Sequence, residues 1–230
     1  IKDFKQGILF PFIIISLILI LIVLEKDLGI PFIIMFTSLV LFYIGGMRFI
    51  HIFYMIAAIL PCVVFAVIKY PYRVKRMMIF IDPWSDPAGA GYQIIQSLSA
   101  IGSGGIRGKG LGNSVMKNLF LPEAHTDFIF PIIGEEFGLA GTITILFLFI
   151  CFFYAGVYVA KHANNIFGNF LALGITFLIT FQAIFNIGVS ISLFPTKGLP
   201  LPFISFGGSA ILMTLIGIGV LLNICKQANK

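Results

Sequence analysis

The stretch FIFPIIGEEFGLAGTITILFLFICFFYAGVY, residues 128–158, decides the fold class of this chain. Its only charged residues are Glu135 and Glu136 near the start. A helix needs about 20 apolar residues to cross the roughly 30 Å hydrocarbon core of a membrane. Strict alternation of apolar and polar residues, as in a membrane β-strand, is absent. The stretch therefore predicts a transmembrane helix, interrupted at Gly138 and Gly141.

Five more apolar runs extend this pattern over the chain. The composition agrees, because 59% of the residues are hydrophobic and 10% charged, against about a quarter charged in soluble domains. The mean hydropathy is +1.07. We therefore predict an all-α polytopic membrane bundle of about six transmembrane helices, the third kinked or capped near Pro61. The further runs cover residues 8–24, 30–44, 51–69, 167–189 and 203–224.

Residues 70–126 interrupt the apolar pattern with turn residues, basic residues and a short helix candidate at 93–100. Unstructured loops of this length in compact proteins are usually functional or disordered, and the interspersed aromatic residues argue against disorder. By the positive-inside rule, the short loops place both chain ends in the cytoplasm and this long loop outside. Because the long loop is itself basic, it suits an anionic ligand. The basic residues assigned to the cytoplasmic side are Lys2, Lys5, Arg48, Lys161, Lys226 and Lys230, against Lys26 and Lys197 outside.

Asp127 stands where the chain re-enters the membrane after this loop. The simpler interpretation is a helix cap. The functional alternative is a general base acting on a sugar hydroxyl, and it gains support from Glu123, His125 and the basic loop upstream. Both interpretations stay open from the residues alone.

Glu135 and Glu136 lie two turns further along, where an unpaired charge would be costly. They should face a polar cavity or pair with a cation, for which Lys197 is a candidate, and substrate contact is an equal alternative. The glycines of residues 102–112, interleaved with Arg107 and Lys109, suit a backbone that approaches an anion and offers N–H donors. Such glycines also suit a simple turn.

Several kinds of chemistry find no support in the sequence. No nucleotide-binding glycine motif, zinc-protease HExxH motif or GxSxG nucleophile motif is present. Cys62, Cys151 and Cys225 are far apart without metal-ligand spacing, and we expect them to be small buried hydrophobes. We predict no nucleic acid partner and no certain cofactor. A divalent cation stays open, since Glu123, Asp127 and Asp86 could supply oxygen ligands, although their spacing is not diagnostic.

Several motifs together resemble the SEDS family of bacterial cell-wall polymerases, in the family's order and over nearly the whole chain. Within that family the details are more similar to the division members than to the elongation members, and the sporulation members stay open. The motifs are Lys26-Asp27-Leu28-Gly29, Asp82-Pro83-Trp84, Gly108-Lys109-Gly110-Leu111-Gly112-Asn113-Ser114, Leu121-Pro122-Glu123-Ala124-His125-Thr126-Asp127, Gly134-Glu135-Glu136 and the run from Pro195 to Ser209.

The resemblance implies a single SEDS membrane domain over residues 1–230, holding the last six of about ten helices, and hence a missing N-terminal part. It implies polymerisation of lipid II into glycan strands at the bacterial cytoplasmic membrane, at the division septum. The implied partners are undecaprenyl-pyrophosphate-linked glycan, a class B penicillin-binding protein, other divisome membrane proteins and the bilayer. Asp127 matches the family's essential aspartate. Candidate substrate-binding residues are Arg73, Arg76, Arg107, Lys109, Lys117, Glu123, His125 and Lys197.

Two departures and two rival functions qualify this interpretation. Pro131 stands where the family leads us to expect alanine, and Phe206 replaces the commoner tyrosine. Pro131 would remove a backbone bond if Asp127 caps the helix, but would fit as first residue of a helix beginning at Phe130. The rivals are a lipid II flippase, which would need polar residues at mid-depth, and a divisome scaffold, which would tolerate Asp127→Asn.

Overall fold

The computed structural model describes residues 10–24 and 29–228, in two compact units, Ile1–Val74 and Lys75–Lys230. All regular elements among the described residues are helices, which confirms the predicted all-α class. Several predictions fall outside the described residues. They are the start of the first predicted span at Ile8, the assignment of Lys2, Lys5 and Lys230 to the cytoplasmic side, and residues 26–28 of the first family motif. The single domain and the extracytoplasmic position of residues 70–126 stay predictions.

Three apolar helices make up the first unit: α1 (Phe10–Leu24), α2 (Gly29–Ile44) and α3 (Phe49–Ile68). Helix α2 packs against both others, and Phe42, Met47 and Met55 form the buried core. The glycine pair after α2 ends that helix, with Gly46 at a φ of 88°. Helix α3 continues through Pro61, so this proline does not end it.

The second unit contains the long helices. Helix α4 (Pro71–Ile81) leads into it, and a 3₁₀ turn at Pro83–Ser85 follows. The helices after this turn are α5 (Tyr92–Gly104), α6 (Val115–Leu119), α7 (Ile129–Lys161), α8 (Ile166–Ser190) and α9 (Gly208–Ala228). Helix α7 packs against α5 and α8, and Phe130, Ala183, Ile187 and Leu201 form a buried cluster. Among the described residues, α7, α8 and α9 are long and apolar enough to cross a membrane, and α1, α2 and the first part of α3 are shorter apolar helices.

Helix α7 is divided at Gly138, whose φ of 66° and ψ of −157° are not helical. A side chain at Gly138 would collide with the backbone nitrogen of Gly108, and one at Gly108 would collide with the carbonyl of Glu136. Both positions also have positive φ, which favours glycine. The predicted interruption at Gly138 is therefore a real break, and the glycine-rich loop (residues 102–112) docks directly on it. The predicted interruption at Gly141 is wrong, because Gly141 has helical backbone geometry.

Three details differ from the sequence prediction. The sixth helix begins at Gly208 instead of Phe203, because Leu201 and Ser205 close a hydrogen-bonded turn between them and Phe203 has a φ of 67°. Helix α7 begins at Ile129, so Pro131 is its third residue, where no backbone donor is needed. The prediction of buried cysteines is wrong for Cys151, which is exposed, and Cys225 is partly exposed; the side chain of Cys62 lies outside the described residues.

Candidate functional site

Asp127 lies in the turn immediately before α7, with its side chain half-buried. The N-cap residue of the helix is Phe128, and no side chain caps the helix. The helix-cap interpretation of Asp127 is therefore wrong, because the Asp127 carboxylate does not cap α7.

Two buried side chains from later in the sequence donate hydrogen bonds to the main chain around Asp127. The Asn186 amide nitrogen, in α8, donates to the carbonyls of Asp127 (2.8 Å) and Leu199 (2.6 Å). The Ser205 hydroxyl donates to the carbonyl of Thr126 and accepts from the Leu201 backbone at 2.7 Å. These bonds join the Asp127 turn to the connector at residues 195–205.

This connector brings Lys197 and Arg76 to the same region. A Cβ atom added at Gly198 would lie 3.0 Å from Oδ2 of Asp127, so the carboxylate rests against the glycine beside Lys197. Arg76 donates to the carbonyl of Thr196 at 3.2 Å, on the other side of Lys197. The two connector residues that flank Lys197 thus contact the Asp127 carboxylate and the Arg76 side chain.

Glu123 completes the acidic side of the site. It is exposed, has a φ of 55°, and accepts from the Thr126 hydroxyl at 2.9 Å. Burial raises the pKa of Asp127 above its usual range, and the negative charge of Glu123 raises it further. His125 is exposed and contributes its carbonyl to the backbone nitrogen of Phe206 at 2.9 Å. A carboxyl with a raised pKa, open on one side, is suited to accept a proton.

A second polar cluster surrounds Glu135, which is completely buried. Lys109 forms an ion pair with it at 2.7 Å, so the structure gives Glu135 a different partner from the expected Lys197. The carboxylate also accepts from the Ser114 hydroxyl and from the backbone nitrogens of Val115 (3.3 Å) and Met116 (3.2 Å). Glu135 therefore ties the glycine-rich loop and α6 to α7.

The glycine-rich loop uses part of its backbone for this docking. The nitrogens of Lys109 and Gly110 donate to the carbonyls of Glu135 and Glu136, each at 2.9 Å. The nitrogen of Leu139 donates in return to Gly105. These N–H groups are occupied within the protein, so this part of the loop is a packing element and does not offer the donors expected for an anion.

The other predicted residues are less closely connected to Asp127. Arg107 is exposed and Lys117 partly so. Glu136 is buried, and its Oε1 has no hydrogen-bond partner among the described residues. Arg73 belongs to the first unit, where it donates to the Tyr72 hydroxyl at 2.9 Å.

The described residues contain no group of three or more His, Cys, Asp or Glu side chains close enough to hold a metal ion. Asp86, considered as a third ligand beside Glu123 and Asp127, instead forms an ion pair with Lys75 at 2.7 Å. This ion pair and the hydrogen bond from the Ala90 backbone lower the pKa of Asp86.

Sequence reasoning did not single out Asn186, Ser205 or Gly198 as site residues. A polar amide inside the otherwise apolar run 167–189 was the available signal for Asn186. Ser205 and Gly198 stood inside a motif that was noted only for the resemblance.

Comparisons with known proteins agree with one another. The family model described as "Cell cycle protein", FtsW/RodA/SpoVE, matches residues 1–230. The chain is 42% identical over 227 residues to "Probable peptidoglycan glycosyltransferase FtsW" of Geobacter metallireducens, covering 99% of this chain and 60% of the relative. It is 40% identical over 228 residues to "Stage V sporulation protein E" of Bacillus subtilis, covering 99% of this chain and 62% of the relative.

A solved structure described as "Structural coordination of polymerization and crosslinking by a peptidoglycan synthase complex" is similar, with a TM-score of 0.75 and 28% identity, over 99% of this chain and 63% of that one. The crystal structure of a mutant Thermus thermophilus rod shape determining protein RodA shares the fold, with a TM-score of 0.66 and 21% identity, over 97% of this chain and 58% of that one. The chain thus spans about 60% of the length of the curated relatives.

Proposed function

The chain belongs to the FtsW/RodA/SpoVE family of cell cycle proteins, and on this basis we propose that the whole protein is a peptidoglycan glycosyltransferase that polymerises lipid II. The observation that carries the proposal is the half-buried Asp127 carboxyl, which has a raised pKa and no capping role and adjoins Lys197 and Arg76. Relatives at 40–46% identity carry the matching activity in their names.

In the proposed reaction, Asp127 takes the proton from the 4-hydroxyl of the acceptor GlcNAc as this oxygen attacks the anomeric carbon of the donor MurNAc. The bond from that carbon to the pyrophosphate oxygen breaks, and undecaprenyl pyrophosphate leaves with the bonding electron pair. Lys197 and Arg76 are the cations best placed to stabilise the developing negative charge. A single displacement inverts the α-linked donor to a β-1,4 linkage.

Arg107 and Lys117 stay in the proposal as outer contacts for the pyrophosphate or sugar groups, with Glu123 and His125 beside the acceptor. Arg73 stays in the proposal as a substrate-binding residue. Lys109 and Glu135 are better assigned to holding the loop, because their charges are paired with each other. Glu136, with one buried oxygen unpartnered in the described part of the chain, is proposed to face the polar interior of the bundle.

We further propose that a class B penicillin-binding protein is the transpeptidase partner and that the protein acts at the septum with other divisome membrane proteins. Support comes from the similar solved structure, whose description couples polymerization with crosslinking in one complex. The curated names include both division and sporulation proteins, so the division role rests on the sequence details given above.

The test is glycan-strand synthesis from purified lipid II by the full-length protein with its class B partner, comparing wild type with Asp127→Asn. We expect polymer from wild type and a loss of at least about a hundredfold for the variant, as is typical when a general base is removed. The complex should still assemble. Polymer at the wild-type rate from Asp127→Asn would remove Asp127 as the base, and no polymer from either protein would favour a flippase or scaffold.

A further inference from the structure

We infer that Asn186 is a positioning residue for this site, holding Asp127 and the Lys197-bearing connector in one arrangement. The inference rests on the proposed function, since it concerns how the base is oriented. Asn186 touches no substrate in this assignment and acts only through the two main-chain carbonyls that it binds.

The Asn186 amide has the geometry to hold two carbonyls at once. Both hydrogens of the Asn186 nitrogen are used, one on Asp127 and one on Leu199, at 2.8 and 2.6 Å. The two carbonyls come from segments more than 70 residues apart in the sequence. A primary amide nitrogen is one of few neutral groups that can donate to two carbonyls at once. The reversed amide would place its oxygen against both carbonyls, so the observed orientation is determined.

The burial of Asn186 is compensated only through the two carbonyls that it binds. Asn186 is 2% exposed, and its Oδ1 has no hydrogen-bond partner within the described part of the chain. A buried polar oxygen without a partner is destabilising, and the hydrogen bonds from Asn186 to the carbonyls of Asp127 and Leu199 offset this cost. The two bonds to the site's backbone give a reason for retaining it.

The hydrogen bonds of Asn186 also maintain the contact between Asp127 and Gly198. Asn186 holds residues 127 and 199, and between them the Asp127 carboxylate lies against Gly198. Ser205 supports the same pairing from the other side, through Thr126 and Leu201. Without the Asn186 amide, the two carbonyls would lose their shared donor, and the carboxylate would no longer be fixed relative to Lys197.

The experiment compares Asn186→Leu with Thr180→Val, measuring lipid II polymerisation by the full-length complex. Thr180 is buried on the same helix, and its hydroxyl has no partner among the described residues, so its replacement is a matched loss of a buried polar group. We expect Asn186→Leu to lower kcat by roughly 10- to 100-fold, since misplacement by about 1 Å can cost a hundredfold. The KM for lipid II should stay within about twofold, and Thr180→Val should resemble wild type in both.

A double variant separates positioning from general structural damage. In an Asp127→Asn background, Asn186→Leu should lower the residual rate by less than about twofold, because no base remains to be positioned. Ser205→Ala provides a second route if Asn186→Leu does not fold, and should likewise lower kcat with little change in KM.

The outcomes are distinguishable. Wild-type kcat for a folded Asn186→Leu, with Asp127→Asn inactive, would overturn the positioning role and leave the proposed function intact. The positioning role would also be overturned if Asn186→Leu lowered the rate equally in the wild-type and Asp127→Asn backgrounds. If Asn186→Leu fails to fold, an unchanged kcat in Ser205→Ala would overturn it. Full activity of Asp127→Asn would remove the proposed function first.

Discussion

The ion pair between Lys109 and Glu135 leads to a quantitative prediction about stability. Replacing Lys109 by methionine would leave the completely buried Glu135 carboxylate without its cation. Removing one partner of a buried pair typically costs about 3–5 kcal/mol. The lower end applies here, because the Lys109 side chain is itself 34% exposed. In addition, Ser114, Val115 and Met116 would still donate to the carboxylate. We therefore expect Lys109→Met to lower the free energy of unfolding by about 3 kcal/mol.

The same change should cost much less when residue 135 is neutral. In a Glu135→Gln background, Lys109→Met removes a cation from an uncharged amide, and we expect a cost of about 1 kcal/mol. The coupling between the two positions is then about 2 kcal/mol, which lies within the range for residues in direct contact. As a control, Lys161→Met at the exposed end of the same helix should change stability by less than about 0.5 kcal/mol.

The assay is thermal unfolding of the full-length variants in detergent at one heating rate, with the four members of the cycle compared. A cost of about 3 kcal/mol corresponds to a Tm lower by roughly 6–12 °C for a domain of about this size. An unchanged Tm for Lys109→Met, or additive effects of Lys109→Met and Glu135→Gln, would refute the structural assignment. If Lys109 instead contacts substrate, its loss should raise the KM for lipid II without lowering Tm.

Two further predictions concern the carboxylate at residue 127. Gly198→Ala should lower kcat by about 3- to 10-fold, because the added Cβ would lie 3.0 Å from Oδ2 of Asp127 and shift that oxygen by a few tenths of an ångström. Gly102→Ala is the control and should leave kcat unchanged, because nothing lies within 4 Å of a Cβ added there. Equal rates for the two variants would contradict the contact between Gly198 and Asp127. Glu123→Gln should move the acid limb of the pH profile of kcat/KM to lower pH, since removing the negative charge lowers the pKa of Asp127, which must be ionised to act as a base. Burial still holds the pKa of Asp127 above its usual range in this variant. Glu123→Asp keeps the negative charge and should leave the acid limb in place. An acid limb that does not move in Glu123→Gln would show that Asp127 does not govern it.

Much of the fold could be predicted from the sequence, because long apolar runs in a membrane protein leave little choice but helix. The break at Gly138 was indicated by a glycine inside an apolar run, and the helix near residues 93–100 by the local sequence pattern. The late start of α9 was not, since the turn between Leu201 and Ser205 depends on a side-chain hydrogen bond. Helix boundaries that are set by such local bonds have no hydropathy signal.

The site was only partly predictable. Asp127 and its acidic neighbour Glu123 are close in sequence, so their proximity followed from the spacing. Lys197 was the expected partner of Glu135, but the ion pair is made by Lys109, which reaches Glu135 only because the glycine-rich loop folds back on α7. Asn186 meets Asp127 from a helix about 60 residues later. Contacts of this kind are set by packing, and no local pattern encodes them.

The break in α7 has a consequence for the depth of the chemistry. The part of the helix from Leu139 to Lys161 is about 34 Å long at 1.5 Å per residue, enough by itself to cross the roughly 30 Å hydrocarbon layer. The part of α7 before the break, and the turn that carries Asp127, are then not needed to span that layer. Under the proposed function, the sugars of a membrane-anchored substrate would then meet the carboxylate outside that layer while the lipid tail stayed in the bilayer.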